Sequence, residues 1–258
     1  MRVLHFSDPH VQLPRWRQRK LRELGPLRAV ASAELWRGRG RDYDDALDVL
    51  RKIVSDADRL RADHVICTGD LTQLAMEEEF ALAREALKPI WNRFSCIAGN
   101  HDRYPFDDGS TNRLYEQYFA GLSQPPDELS IIELDSCGPV CWPIVTRGRI
   151  ESSEMASLPR RLAEARGCKL VLLHHSPLRE NGRPEFIWHA LKSARQLMEA
   201  CASADAVLCG HLHERFEARA AARIFCAGSS TERLKEGYWV YEIAEGRIAS
   251  AAIHKPGS

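Results

Sequence analysis

Short apolar runs alternate with amphipathic segments along most of this sequence. Five of the runs have the length and composition of β-strands, and each is followed by a polar turn that contains glycine or histidine. These runs are residues 3–6, 64–68, 94–98, 169–173 and 206–209. The alternation predicts an α/β fold, in which the polar residues that follow the strands gather at one edge of a sheet.

The amphipathic segments have the periodicity of helices. In residues 42–60, the apolar positions recur at helical spacing on one face, and Asp42 is placed to cap the helix. Similar patterns occur in residues 76–87, 153–165 and 188–201. Residues 216–253 differ, because they contain β-like runs separated by glycine-containing turns, which predicts antiparallel strands that close a second sheet.

Composition narrows the class of protein. A chain of 258 residues fits one enzyme-sized domain, and we expect a single domain over residues 1–258. The 36 Lys and Arg residues balance 36 Asp and Glu residues, which argues against a dedicated nucleic-acid binder. No apolar run approaches the roughly 18 residues of a membrane span, and the first residues do not resemble a signal peptide. Because the eight cysteines fit buried thiols better than disulfides, we expect a cytoplasmic protein.

Chemistry-bearing residues are concentrated after the predicted strands. The five segments are Asp8-Pro9-His10, Gly69-Asp70, Gly99-Asn100-His101-Asp102, His174-His175 and Gly210-His211-Leu212-His213. Together they supply the carboxylate, amide and imidazole groups that a pair of divalent metal ions needs. On an extended strand end, residues i and i+2 point to the same side, so the Asp-x-His and His-x-His spacings suit such a site. The glycines fit tight turns or a close approach of two backbones.

Each segment alone has an ordinary structural interpretation. An Asp-x-His pair is common, a Gly-Asp pair at a strand end is usually a turn, and a histidine doublet fits a core histidine beside a turn. The occurrence of all five segments, each after an apolar run, favours a metal site over five separate coincidences.

In this order, the segments resemble the motifs of the calcineurin-like metallophosphoesterase superfamily, namely D-x-H, G-D, G-N-H-D/E, H and G-H-x-H. The resemblance covers the chain from Met1 to about Phe216. It implies a four-layer α/β/β/α sandwich with two mixed β-sheets, and a dinuclear metal site on the loops at the strand ends.

The resemblance also assigns roles to individual residues. It implies a first metal bound by Asp8, His10 and His213, a second metal bound by Asn100, His175 and His211, and Asp70 as the bridging carboxylate. His175 is preferred to His174 as the ligand because it directly precedes Ser176-Pro177, which leaves His174 beside the site as a candidate substrate-binding residue. His101 resembles the imidazole that contacts phosphate and protonates the departing oxygen. Asp102 could orient a histidine and Arg103 could contact phosphate, although surface salt bridges would explain both.

The implied reaction is hydrolysis of a phosphodiester or pyrophosphate bond. Two divalent ions lower the pKa of a water between them, and the resulting hydroxide attacks phosphorus in line. Mixed imidazole and carboxylate ligands suit manganese, our first choice, or iron, zinc or cobalt better than calcium.

A basic amphipathic insertion at about residues 14–41 follows the first motif. Between Arg15 and Arg41 there are nine basic residues and two acidic ones, and Trp16, Arg19 and Trp36 are part of this pattern. In one interpretation, Trp16 and Arg19 help to bind an acylated substrate or an anionic membrane surface at the inner face of the membrane. In the other, the apolar side packs on the body of the protein and the arginines face solvent.

Several functions stay open on this basis. The insertion resembles that of bacterial UDP-2,3-diacylglucosamine pyrophosphohydrolase-like enzymes, which favours a lipid-linked nucleotide as substrate. Residues 65–72 are close to the corresponding stretch of class III cyclic-nucleotide phosphodiesterases, which makes a cyclic-AMP-type phosphodiesterase, and after it a generic phosphatase, the alternatives. A non-catalytic scaffold with the same fold is the alternative from another class. The sequence gives no indication of the oligomeric state.

Overall fold

The computed structural model describes residues 1–13, 28, 35, 38–103, 109–119, 124–138 and 146–258. The strands in this part of the chain are β1 (Arg2–Phe6), β2 (His64–Cys67), β3 (Phe94–Cys96), β4 (Leu129–Glu133), β5 (Cys168–His175), β6 (Ala206–Gly210), β7 (Arg215–Arg219), β8 (Arg223–Ala227), β9 (Tyr238–Ala244) and β10 (Arg247–His254). The α-helices there are α1 (Ala46–Arg59), α2 (Glu77–Leu87), α3 (Ser110–Phe119), α4 (Ser152–Glu164) and α5 (Ala194–Ala200). Two 3₁₀ helices cover Arg39–Tyr43 and Lys88–Arg93.

The strands form two five-stranded mixed sheets. The first has the order β10-β9-β1-β2-β3, with β1, β2 and β3 parallel and β9 antiparallel to both β1 and β10. The second has the order β4-β5-β6-β8-β7, with only β7 antiparallel to its neighbour. The parallel strands of each sheet therefore direct their carboxyl ends to one edge.

Three apolar layers hold the sheets and helices together. One lies between the first sheet and helices α1 to α3, a second between the second sheet and helices α4 and α5, and a third between the two sheets. Strand β1 shows the alternation, because Leu4 and Phe6 face the helices while Val3 faces the other sheet. The expected four-layer α/β/β/α architecture with two mixed sheets is confirmed.

Helix α1 shows why the periodic segments fold as expected. Leu50, Ile53, Val54 and Ala57 follow helical spacing and are nearly inaccessible to solvent. Full burial of side chains as large as Leu and Ile stabilises the fold by about 1.5–3 kcal/mol each. The expected cap at Asp42 is wrong, because Asp42 lies in the preceding 3₁₀ helix and α1 begins at Ala46.

Two other expectations about the elements need correction. The C-terminal strands do not all close the second sheet: β7 and β8 join it, whereas β9 and β10 extend the first sheet beside β1. The apolar patterns of these four strands are alike, so the sequence does not show which sheet each strand joins. The sheet is decided by the strand with which each one pairs. The helix expected over residues 188–201 is limited to α5.

Most of the basic insertion lies outside the described residues, including Trp16, Arg19 and Trp36. Six of its residues, 28, 35 and 38–41, are described. Of these, Arg28 and Leu35 show how it contacts the protein body. Leu35 is 2% exposed and packs with Leu13 and Leu74, and the Arg28 guanidinium donates to the carbonyl oxygens of Leu74 and Ala75 at 2.7 and 2.9 Å. At these two positions, the insertion is attached to the loop that follows β2.

The described residues contain no helix that is both long enough and apolar enough to cross a membrane. Seven of the eight cysteines are described, and all seven are free thiols, in line with the expected reduced state. The cytoplasmic location, and a peripheral position at the membrane, stay predictions.

Candidate metal centre

The five polar segments of the sequence meet at the carboxyl ends of parallel strands from both sheets. Asp8 and His10 follow β1, and Asp70 follows β2. From the other sheet, His174 lies at the end of β5, and His211 and His213 follow β6. The meeting of these segments is therefore a consequence of sheet topology, as expected for parallel α/β folds.

The backbone at these residues adopts an uncommon conformation. Of the nine described non-glycine residues with positive φ, five carry side chains of this cluster: Asp8, His10, Asp70, His211 and His213, with φ between 44° and 69°. The expectation that the Asp-x-His and His-x-His pairs converge from extended backbone is thus wrong. Left-handed backbone of this kind costs free energy and is concentrated at functional sites.

The glycines in the motifs have the two uses that were expected. Gly69 has φ +103°, a conformation that L-residues rarely adopt. Gly99 and Gly210 have no such φ, but a Cβ atom at Gly99 would overlap the Asp70 carboxylate, and one at Gly210 would overlap Ser7 and Asp8. A side chain at either position would displace a carboxylate of the cluster.

The first donor group consists of Asp8, His10 and His213. The Nε2 atoms of His10 and His213 are 3.2 Å apart, and Asp8 Oδ1 lies 3.8 and 3.4 Å from them respectively. The His211 backbone N–H donates to both oxygens of Asp8, at 3.2 and 3.0 Å, which joins the loops of the two sheets.

The second donor group consists of Asp70, His174 and His211, whose donor atoms all lie within 4.8 Å of one another. His174 Nε2 is 3.3 Å from Asp70 Oδ2 and 3.1 Å from Asn100 Oδ1. Asp70 Oδ2 is also 3.7 Å from His10 Nε2 in the first group. Asp70 therefore lies between the two groups, where a bridging carboxylate is expected.

The two histidines of the doublet differ in what their ring nitrogens contact. His175 Nε2 donates to the backbone oxygen of Thr146 at 3.1 Å, and His175 Nδ1 accepts from the Ser136 hydroxyl at 3.0 Å. Both ring nitrogens of His175 are thus engaged by the protein. His174 Nδ1 donates to the Thr68 carbonyl at 2.8 Å, which leaves the Nε2 lone pair facing two oxygen atoms. His174 is thus the histidine of the doublet that faces the donor group, and the choice of ligand within the doublet stays a prediction.

His101 lies beside both donor groups. Its ring Nδ1 donates to the Gln73 carbonyl at 2.9 Å, its backbone N–H donates to Asp70 Oδ1 at 2.7 Å, and its ring meets that of His10 edge-on at 4.7 Å. A ring nitrogen of His101 also falls within 4.8 Å of donor atoms of His10 and Asp70. Its distinction from the ligands stays a prediction.

Asp102 and Arg103 have protein partners. The buried Asp102 carboxylate accepts from the backbone N–H groups of Leu71, Thr72 and Gly99 at 2.8–3.1 Å, so it connects two loops. Among the described residues, it forms neither of the contacts considered from sequence. Arg103 donates to Asp135 at 2.6 Å. A contact of Arg103 with phosphate stays a prediction.

Without metal, the charges of the cluster shift its pKa values strongly. Burial opposes ionisation of Asp70, but the histidines around it, His174 first, hold the pKa of this carboxyl well below its usual range. Burial also disfavours protonation of His174, yet the Asp70 carboxylate outweighs it and raises the pKa of His174 to about 10. Burial and the His174 charge lower the pKa of His175 to about 3. At neutral pH, the metal-free cluster therefore holds positive charge on the His174 ring, whereas the His175 ring is neutral.

The residues present fit divalent metal ions. His211 Nε2 is buried and has no hydrogen-bond partner among the described residues. Metal–ligand bonds of about 2.0–2.2 Å place neighbouring ligand atoms roughly 3.0–3.5 Å apart, close to the separations of 3.1–3.8 Å measured here. Imidazole nitrogens that face one another or face acceptor oxygens need a proton or a cation between them.

Comparison with known proteins decides the family. The family model for calcineurin-like phosphoesterases matches residues 1–215. The chain belongs to the calcineurin-like phosphoesterase family. It is accordingly a metal-dependent phosphoester hydrolase, and members of this family use a pair of divalent metal ions.

Individual relatives of this phosphoesterase are distant. It is 25% identical over 179 residues to a probable cyclic nucleotide phosphodiesterase from Vesicomyosocius okutanii, a match that spans 65% of this chain and 70% of the relative. A dimetal phosphatase from Danio rerio has a TM-score of 0.61 at 12% identity over 99% of both chains. The protein TT1561 from Thermus thermophilus has a TM-score of 0.56 at 12% identity over 98% of both chains. At this identity, the two structures support the fold.

Sequence reasoning missed two residues that contact the cluster. Tyr43 and Glu232 both lie 2.8 Å from His213 Nδ1, through the Tyr43 hydroxyl and Glu232 Oε2. Glu232 follows β8, which is parallel to β6, so it occupies the same kind of strand-end position as the recognised motifs. The apolar run before Gly228-Ser229-Ser230-Thr231-Glu232 was the available signal. Tyr43 offers no comparable signal in sequence.

Proposed function

We propose that this phosphoesterase is a phosphodiesterase that hydrolyses a nucleotide diester of the cyclic-AMP type. The observation that carries the proposal is the sharing of Asp70 between two compact donor groups. Two divalent ions held there would activate water and neutralise the charge of the phosphate oxygens. We propose manganese as the first ion to test, because imidazole and carboxylate ligands together suit it.

The protein supplies the ligands and leaves one side of the cluster accessible. In this proposal, Asp8, His10 and His213 hold one ion and Asn100, His174 and His211 hold the other, with Asp70 shared. Among these residues, Asp8, His10, Asp70 and His174 are buried, whereas Asn100, His211 and His213 are half-buried. The substrate phosphate therefore approaches from the side of Asn100, His211 and His213.

The same side carries His101, the proposed proton donor. Because its Nδ1–H donates to the Gln73 carbonyl, Nε2 is the nitrogen that takes up and releases a proton. A histidine held in one orientation beside the reacting phosphate can protonate the departing ester oxygen. We therefore keep His101 as a catalytic group rather than a metal ligand.

A nucleotide substrate is supported by the relative and by the rim of the cluster. The distant relative bears the name of a probable cyclic nucleotide phosphodiesterase. Of the five large apolar side chains exposed in the described part, three are consecutive, namely Phe186, Ile187 and Trp188. The next residue, His189, has its ring 5.5 Å from that of His211. Exposed aromatic side chains beside the cluster suit stacking on a nucleobase.

The lipid-linked substrate, our first choice from sequence, has no structural support. It depends on Trp16, Arg19 and their neighbours, which lie outside the described residues. None of the relatives named above has a lipid substrate in its name. Cyclic nucleotides therefore take first place.

The test is a substrate comparison with manganese-loaded enzyme. We expect conversion of cyclic AMP to AMP, with no release of phosphate from AMP, and dependence on added metal. Phosphate release from monoesters without cleavage of cyclic AMP would make the protein a phosphomonoesterase. Cleavage of UDP-2,3-diacylglucosamine without cleavage of cyclic AMP would restore the lipid-linked assignment.

Replacement of His101 by alanine separates proton transfer from metal binding. Loss of a general acid lowers kcat by about 10²–10⁴-fold, while both ions stay bound. The measurement combines kcat for cyclic AMP with the metal content of the purified variant. Loss of an ion from the His101→Ala variant would show that His101 is a ligand.

A further inference from the structure

The two nitrogens of the His213 ring face different surroundings. Nε2 points into the first donor group, 3.2 Å from His10 Nε2 and 3.4 Å from Asp8 Oδ1. Nδ1 lies 2.8 Å from Glu232 Oε2 and 2.8 Å from the Tyr43 hydroxyl. Glu232 thus contacts the side of the ring that faces away from the donor group.

Hydrogen-bond complementarity assigns the proton on this ring. The Tyr43 hydroxyl is also 3.3 Å from Glu232 Oε2. If His213 Nδ1 carries the proton, then both this N–H and the Tyr43 O–H donate to the carboxylate, which only accepts. His213 Nε2 then presents its lone pair to Asp8 and His10, as a metal ligand must.

The Glu232 carboxylate is itself held in place. Lys235 Nζ lies 2.6 Å from Oε1, so the oxygen that faces His213 is the other one. The Glu232 backbone N–H donates to Ser229 Oγ at 3.2 Å, and the Ser229 hydroxyl donates to the Asp8 carbonyl at 2.8 Å. Thr231 Oγ1 donates to the Pro9 carbonyl at 2.7 Å. One short segment therefore contacts the Asp8 loop and also supports His213.

We propose that Glu232 is a positioning residue, which fixes the orientation and the Nδ1–H tautomer of His213 and thereby strengthens binding of the ion at Asp8, His10 and His213. Carboxylates that accept from the second nitrogen of a ligand histidine raise its basicity and orient its ring. The inference rests on the metal centre of the proposed function. Glu232 lies beyond residues 1–215, the part that matches the family model.

The primary test is Glu232→Ala, with two readouts that do not depend on activity. In the metal-free variant, the Tyr43 hydroxyl is left to donate to His213 Nδ1, so the ring proton moves to Nε2; ¹⁵N NMR of the imidazole reports this change of tautomer. Titration of the metal-stripped protein with Mn²⁺ against a chelator should show one ion bound about 10–100-fold more weakly and the other unchanged.

Two control variants isolate the contact. Glu214→Ala removes an exposed carboxylate that directly follows His213 in the chain, and it should keep the wild-type tautomer and affinities. Lys235→Met removes the cation paired with Glu232 Oε1 but leaves the His213 contact at Oε2, so it should keep the tautomer and weaken the ion much less than Glu232→Ala does. An equal weakening in Lys235→Met would assign the effect to the local fold rather than to His213, and would overturn the proposal.

A conservative variant keeps the test decisive if Glu232→Ala unfolds. Glu232→Gln preserves the size of the side chain and retains an oxygen acceptor, so it should weaken the same ion by a smaller factor. Two ions bound at wild-type affinity in Glu232→Gln, or in a folded Glu232→Ala, would overturn the inference. The failure of the proposed function is distinct, because wild-type enzyme would then bind both ions without cleaving cyclic AMP.

Discussion

Asp70→Asn is expected to lose one of the two bound metal ions and to retain less than about 10⁻³ of wild-type turnover. Asp70 Oδ2 faces His174 of one donor group at 3.3 Å and His10 of the other at 3.7 Å. An asparagine either turns its NH₂ group toward these nitrogens or offers a neutral oxygen, so the charges of two adjacent cations are less compensated. The loss should exceed the 10–100-fold effects typical of residues that only support a ligand.

The measurement pairs metal content per chain with kcat on cyclic AMP. Asp56→Asn is the matched control, because Asp56 is also a buried carboxylate but belongs to helix α1 and accepts from Tyr238, Arg59 and Gly257. This control should lower the thermal midpoint and keep both ions. Two ions and near-normal turnover in Asp70→Asn would mean that Asp70 does not bridge.

The sequence predicts the strands and the meeting of the motifs well, and both have the same physical cause. Buried parallel strands need short apolar runs, and the polar residues that follow these runs in sequence lie at one edge of a sheet. Asp8 and Asp70 therefore lie at the same edge of the first sheet, and His211 lies at the carboxyl-end edge of the second. The family motifs then indicated the chemistry, which the family match confirms.

The local backbone of the site was not predictable from these patterns. A polar residue after a strand can continue in extended conformation or turn into the left-handed region, and both fit the sequence. The structure places Asp8, His10 and His213 in the left-handed region. What stabilises it is tertiary, for example the hydrogen bonds from Asp8 N to Gly69 O at 2.9 Å and from His10 N to Asp70 O at 3.0 Å.

Contacts from distant parts of the chain explain the other features of the site that the sequence did not predict. Glu232 supports His213 only because β8 pairs with β6, and the sequence alone assigned the C-terminal strands to a single sheet. In the same way, Ser136 and Thr146 engage His175, and nothing next to the doublet reveals them. The choice within the doublet therefore depended on the Ser176-Pro177 turn, which favours His175, whereas His174 is the residue that faces Asp70 and Asn100.

His174→Ala is expected to lose one ion, and His175→Ala is expected to keep two. Only His174 directs a ring nitrogen at Asp70 and Asn100, whereas both nitrogens of His175 have protein partners. Turnover should fall by about 10³-fold or more in His174→Ala, beyond the range of a supporting residue. His175→Ala should mainly reduce stability, by about 1–3 kcal/mol, since the Thr146 carbonyl and the Ser136 hydroxyl lose a buried partner.

The pH dependence of metal binding gives an independent measurement of the same assignment. The pKa of His174 in the metal-free protein is raised to about 10, so at pH 7 the ring is protonated and an incoming ion must displace that proton. Affinity in the wild type should therefore rise by about tenfold per pH unit for this proton below pH 10, and calorimetry in buffers of different ionisation enthalpy should detect its release. His174→Ala should lose one released proton, and His175→Ala should lose none, because the lowered pKa of His175, about 3, keeps its ring neutral at pH 7. The opposite pattern, with the proton and the ion lost in His175→Ala, would return the ligand to His175.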